Sequence, residues 1–293
     1  ERLLEWFDEQ AIDSLADIRR RGGRLADDDK GKPIFVIDTE ATTHERVLQT
    51  IQKFTLAGDF HVTDLTAQTA HLSVQGKQAA SIVRASLSVD VAGLSDTAVT
   101  RIGETANDVM TWDGIIIASS HTGAKGFDLI LNATRAVEAW NKFVAAGARP
   151  VGHDAWETLR IEAGVPRYGQ DMDDTTVVTE TNLDEAVSYT KGCYVGQEII
   201  ARIKYRGHVA KKLRGLLFEG AVNLEAPAVI ISSDGKEIGR VTSTTISPHL
   251  GCRIAIGYLK YEYSSAGTEV RLNGHTARVV DLPFVENVSG VSN

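Results

Sequence analysis

The fold turns on Gly114-Ile115-Ile116-Ile117-Ala118-Ser119-Ser120-His121-Thr122-Gly123-Ala124-Lys125-Gly126-Phe127-Asp128-Leu129-Ile130-Leu131. Gly114 to Ser120 is short and dominated by β-branched apolar residues, as a buried strand requires. Gly123 and Gly126 punctuate a turn over 122–126, and Phe127 to Leu131 reads as a second strand. Upstream, Pro33 to Asp38 is a strand candidate, and Val47, Leu48, Ile51 and Phe54 recur at helical spacing with Thr42 or Thr43 as N-cap. Strands fit Phe60–Leu65 and Thr69–Gln75, and Gly76 breaks the pattern before a helix-like stretch from Lys77 to about Leu87. This β-α-β-β-α order predicts an antiparallel sheet with helices on one face.

Downstream, Val137, Trp140 and Val144 form a helical stripe that Gly147 can close. A further helix runs from about Asp154 to Ala163, with Trp156, Leu159 and Ala163 spaced to face a core, and Gly164 and Pro166 stop it. From about Gly207 the chain looks all-β. Asp234-Gly235 and Asn273-Gly274 are hairpin signals, set among runs such as Val229-Ile230-Ile231 and Arg253-Ile254-Ala255-Ile256. The expected fold class is therefore α+β, with a small β-barrel after the α+β core.

Composition narrows the function. The 293 residues suit about two domains, and 43% hydrophobic with 24% charged residues is globular. No apolar run approaches the ~18 residues of a membrane span. The opening Glu1-Arg2-Leu3-Leu4-Glu5-Trp6 lacks signal-peptide regions; with no initiator methionine the real start is expected to have been trimmed, and any targeting signal would have gone with it. Two cysteines, Cys193 and Cys252, give no disulfide framework and too few thiolates for a four-thiolate cluster, and a cytoplasmic location is expected. A net charge of −8 argues against direct nucleic-acid binding. The charge is uneven: no acid lies between Glu198 and Glu219, while Arg202, Lys204, Arg206, Lys211, Lys212 and Arg214 supply six cations. The histidines form no H-x-x-x-H or H-E-x-x-H pair, and no P-loop or G-x-G-x-x-G occurs, so neither a metal nor a nucleotide site is expected.

The densest cluster of chemical residue types is Lys191-Gly192-Cys193-Tyr194-Val195-Gly196-Gln197-Glu198. A cysteine is most often an inert buried hydrophobe. Here Gly192 and Gly196 favour a tight, exposed backbone, and nearby cations favour a thiol that serves as nucleophile or metal ligand. Arg202, Lys204 and Arg206 alternate with Ile203 and Tyr205, which on a strand puts three cations on one face. That face is either a solvated edge or a landing surface for an anion. Arg160 can aim its fork at a carboxylate, or pair with Glu157 three residues earlier.

The run from Lys191 to Glu198, continued by Arg202 and Arg206-Gly207, resembles the signature of the YgfZ branch of the glycine-cleavage T-protein superfamily. Thr158 to Gly164 with Tyr168-Gly169, and His121 to Asp128, resemble two further runs shared with its aminomethyltransferases. The similarity is clear from about Gly114 to Val285 and weaker from Ile34 to Gly114. The resemblance implies a folate-binding core over 1–206, with about 20–105 as an inserted subdomain, a barrel over 207–286 and a tail over 287–293. It implies a monomer, tetrahydrofolate or a one-carbon derivative as cofactor, and iron–sulfur client enzymes, including one that modifies tRNA, as partners. It further implies Cys193 and Asp17 as catalytic residues. Arg160, Asp128, Glu180, Gly123, Phe127 and Tyr168 become cofactor contacts, and Lys191, Gly192, Gly196, Gln197, Glu198, Arg202, Lys204 and Arg206 a signature and anion surface. Ala124 and Lys125 stand where T-proteins carry acids, which weakens aminomethyl transfer as the activity. That transferase and a non-catalytic RNA-binding or adaptor module are the competing readings.

Overall fold

A computed structural model describes residues 22–27, 33–54, 61–94, 99–102, 114–189, 192–194 and 196–285. These residues divide into two compact units, one running to Pro150 and including Gly192, the other comprising Val151–Tyr189 and the chain from Cys193 onward.

In the first unit, β1 (Gly22–Asp27) pairs antiparallel with β2 (Pro33–Ile37), and α1 (His44–Phe54) follows. The main sheet comprises β3 (Thr69–Gln75), β4 (Val99–Ile102), β5 (Gly114–Ala118) and β6 (Gly126–Asn132), antiparallel in the order β3-β6-β5-β4. β5 is buried at every position, as its unbroken apolar run demands. Strand side chains alternate between faces. One face, with Val74, Ile116, Phe127, Leu129 and Leu131, packs on Val83 of α2 (Ala79–Leu87) and Ala139 and Phe143 of α3 (Ala136–Ala145). The opposite face carries His71, Ser73, Ile115, Ile117 and Asp128, and there the polar groups of this unit meet.

Three local readings need correction. Residues 61–65 form no strand, and Phe60 lies outside the described residues. The Val137, Trp140 and Val144 stripe of α3 faces solvent, 72%, 46% and 43% exposed, because the smaller Ala139 with Phe143 makes the closer fit to the sheet. On α4 (His153–Glu162), Leu159 is exposed, while Arg160, Ile161 and Glu162 are buried.

The second unit is built on β7 (Lys211–Phe218), β8 (Ala228–Ile231), β9 (Glu237–Ser247), β10 (Cys252–Lys260), β11 (Glu269–Leu272) and β12 (His275–Val280). They close a six-stranded antiparallel barrel in the order β10-β7-β12-β11-β8-β9, as the all-β reading expected. Leu216, Ile230, Ile238, Val241, Leu259, Leu272 and Val279 fill its interior. Asn273 and Gly274 both adopt positive φ (48° and 84°), the two-residue turn their chemistry favours. Against the barrel wall lies α4, where Ile161 packs on Ile254 and Ile256. The segment Gln197–Arg206 forms a helix, α5, and not the expected strand. It starts after Gly196 (φ 87°), and a Glu198–Arg202 pair at 2.7 Å ties its first turns.

Candidate functional site

The polar face of the first unit's sheet is organised around Asp128. Ser73, directly across from it on β3, donates to Oδ1 at 2.7 Å. His121, in the turn before β6, brings Nε2 to 2.7 Å from Oδ2, and His71 brings its Nε2 to 3.5 Å from Oδ1. Burial alone would push the Asp128 carboxyl up, but hydrogen bonds and charge from His121 and His71 outweigh it and hold it well below the usual carboxylate range. An ionised carboxylate only accepts, so His121 donates from Nε2. Ser119 Oγ meets that same Nε2 at 3.1 Å, so this imidazole has no lone pair there with which to activate the serine. The arrangement is an imidazole–carboxylate cluster rather than a nucleophile relay.

The turn itself is tied down by Gln75. Its amide donates to Ser73 Oγ and to the Ser119 carbonyl, and its Oε1 accepts from the His121 backbone N–H. Gly126 makes this reach feasible, since a Cβ there would collide with the Gln75 side chain. Gly123 sits exposed at positive φ, and Lys125 donates to the carbonyls of Ala92 and Leu94. Phe127 is fully buried among the helices' contacts, so it is a core residue and not the cofactor contact expected of it.

Arg160 also departs from expectation. Its Nε and Nη2 donate to Glu157 at 3.1 and 2.6 Å, Nη1 to Asp171 and the Val165 carbonyl at 2.5 and 3.3 Å, and Nη2 also to Ser243 at 2.8 Å. These bonds account for all five guanidinium protons. With its side chain 1% exposed, Arg160 holds α4 to the barrel and has no donor to spare for a folate carboxylate.

Glu180 ends a short turn, Val178–Glu180, and is buried beside Lys211, whose Nζ stands 3.7 Å from Oε2. Burial prevails over that cation and pushes the Glu180 carboxyl up. Lys211 also lies 4.9 Å from the ring centre of Tyr258. The buried hydroxyls of Tyr258 and Thr179 have no hydrogen-bond partner among the described residues. Tyr168 makes an isolated bridge to Met172 and is half-buried.

Asp17, Lys191 and the Arg206 side chain lie outside the described residues. Gly192 and Cys193 are exposed, as are Gly196 and Glu198, with Gln197 half-buried. Cys252, packed against Ile161, Ile254 and Ile256, has its thiol pushed up by burial, in keeping with a structural role. On a helix, Arg202 and Lys204 point apart. Arg202 pairs with Glu198, while Lys204 Nζ stands 3.1 Å from the Tyr189 ring centre at a cleft of about 390 Å³. Among the described residues no group of His, Cys, Asp and Glu is arranged to hold a metal ion, and no helix is long and apolar enough to cross a membrane.

Residues 28–191 match the family model of the GCVT N-terminal domain, and residues 211–286 that of the glycine cleavage T-protein C-terminal barrel domain. The chain belongs to the glycine cleavage T-protein family. This T-protein family member is 32% identical over 253 residues to an aminomethyltransferase of Rubrobacter xylanophilus, covering 85% of this chain and 66% of that protein. It is 31% identical over 263 residues to the Moorella thermoacetica aminomethyltransferase, covering 87% and 70%. Against the Nostoc aminomethyltransferase, 36% identity extends over 176 residues, covering 58% and 46%. The chain thus spans just under two thirds of the length of the Rubrobacter relative and less than half that of the Nostoc one. Its fold is that of the glycine cleavage system aminomethyltransferase T from Bartonella henselae, with a TM-score of 0.75 at 23% identity, covering 91% of this chain and 76% of that one.

Proposed function

We propose that this T-protein family member binds tetrahydrofolate or a one-carbon derivative and, in the manner of the YgfZ branch, assists the maturation or repair of iron–sulfur enzymes in the cytoplasm. Membership of the family supports the folate. The observation that carries the choice of branch is the 121–128 turn. There Ala124 offers no carboxylate, Lys125 is committed to the Ala92 and Leu94 carbonyls, and Asp128 is already bonded by His121 and Ser73. A site with those groups cannot place free negative charge at the pterin where a T-protein does. Exposed Cys193, inside the signature run, is the proposed reactive thiol. The folate contacts proposed are Gly123 and Asp128 of the first unit.

Calorimetry with tetrahydrofolate tests the first half, and no binding overturns it. For the second half, Cys193→Ala should fold normally yet fail to rescue a strain lacking its own YgfZ-type protein, and full rescue would overturn that role. The aminomethyltransferase reading is favoured by the names of the relatives. Sustained turnover on an aminomethyl-lipoyl carrier would establish it in place of ours.

A further inference from the structure

His44, the first residue of α1, stands in the relay that the Asp128 cluster lacks. Its Nε2 is 3.1 Å from Asp64 Oδ2, and its Nδ1 is 3.3 Å from Thr39 Oγ1. Hydroxyl, imidazole and carboxylate are thus joined in series, the order that activates a nucleophile. All three belong to the first unit. Thr39 follows β2, His44 opens α1, and Asp64 comes from residues 61–65, which form no strand.

The protons fall the right way. Hydrogen bonds from the Thr66 side chain and amide, and from His44, hold the Asp64 carboxyl down at about 2. At neutral pH it is therefore a carboxylate, which only accepts. His44 donates to it from Nε2, so the neutral imidazole turns its Nδ1 lone pair toward Thr39, whose hydroxyl donates. At His121 the carboxylate and the serine shared one nitrogen. Here the two ring nitrogens divide the roles.

Both ends of the relay are held. The Thr66 amide donates to Asp64 Oδ1 at 2.9 Å. Between Thr39 and His44, buried Thr43 gives its amide and its hydroxyl to the Glu40 carbonyl at 2.9 and 3.0 Å, which closes the turn. Thr39 is half-buried, and the side chains of His44 and Asp64 are 31% and 42% exposed, so the group lies within reach of a small reagent. The start of a helix favours negative charge, as on a developing oxyanion. Asp38, Glu40 and Glu45 outnumber Arg46 along this stretch, which disfavours phosphate and other anionic esters.

We propose that Thr39 is a nucleophilic hydroxyl activated by His44, with Asp64 positioning the imidazole, and that it accepts the acyl group of a small uncharged ester. Thr39 Oγ1 adds to the ester carbonyl as its proton passes to His44 Nδ1, and the alcohol leaves with that proton. Water, deprotonated by the same nitrogen, then cleaves the acyl-threonine and releases the acid. Nothing in this step depends on folate.

The test is p-nitrophenyl acetate with the full chain at neutral pH, read by release of p-nitrophenol and by peptide mass spectrometry of the acetylated residue. Wild type should carry acetyl on Thr39. Thr39→Val should lose that adduct, and His44→Gln should slow its formation about 100-fold or more. Asp64→Asn should slow it about tenfold or more at an unchanged melting temperature, and Asp64→Glu should recover part of the rate. Acetyl found only on Cys193, lysines or the His44 ring overturns the proposal. So does a rate at Thr39 that His44→Gln leaves unchanged. A rate that Asp64→Asn leaves unchanged overturns the positioning role.

Discussion

Arg160 on α4 and Asp171 in the loop beyond it meet at 2.5 Å, with side chains 1% and 0% exposed. Asp171 also accepts from the Arg167 amide, Thr242 and Ser243, so the pair joins α4, the loop and β9 in one network. Removing one member of a buried pair leaves the other charge uncompensated, at a cost of about 3–5 kcal/mol. Arg160→Met should therefore lower the melting temperature by several degrees or more. Under conditions where the variant stays folded, its affinity for tetrahydrofolate should remain near that of wild type. A large affinity loss without a stability loss would restore Arg160 as a ligand contact.

The depressed pKa of Asp128 makes stability depend on acid. A carboxyl whose folded pKa lies below its unfolded value of about 3.9 contributes fully above that value and loses its contribution as pH falls through the folded one. Asp128→Asn should be less stable than wild type at neutral pH, and the gap should narrow as pH drops below about 4. Thermal melts from pH 7 to 3 would show it, and a constant gap would count against an ionised, hydrogen-bonded carboxylate.

Glu180 has the opposite sign. Burial raises its pKa, so its contribution is present below the unfolded value and fades as pH rises through the folded one. Glu180→Gln cannot ionise. It should gain on wild type as pH climbs from about 4 to 7, in melts at fixed salt. A loss that grows with pH would mean that the Lys211 pair prevails over burial.

Gly257 bears on barrel closure. A Cβ there would lie 2.5 Å from the Arg240 carbonyl oxygen and 2.8 Å from Val241 Cα, both backbone atoms that cannot swing aside. Gly257→Ala should cost about 1–3 kcal/mol through overpacking, read from urea midpoints. A neutral effect would mean that β9 and β10 can part locally.

The features legible from sequence were those with a local cause. Asn273-Gly274 fixes a hairpin because both residues accept positive φ, and the Gly114–Ala118 run could only be a buried strand. Five residues, Arg202 to Arg206, fit a period of two by accident. The readable counter-signal was Glu198 four residues before Arg202, the spacing of a helical ion pair. For Arg160, the commonplace pairing with Glu157 was the structural outcome. The His71–Asp128–His121 cluster was not legible, because β3 and β6 are far apart in sequence and only sheet register brings Ser73 opposite Asp128. A hint lay in the alternation of Thr69, His71, Ser73 and Gln75, four polar side chains on one face of a strand whose other face is Ala70, Leu72 and Val74.

The attachment of α4 has a practical consequence for dissecting the chain. Thr158 bonds Thr245 at 2.8 Å, Ser247 bonds Glu162, and Ile161 covers Ile254 and Ile256 on the outer wall of the barrel. An expression fragment cut just ahead of β7 would carry a naked greasy strip where Ile161 had been, and would invite clumping during purification. One starting at Val151 takes its own cover along.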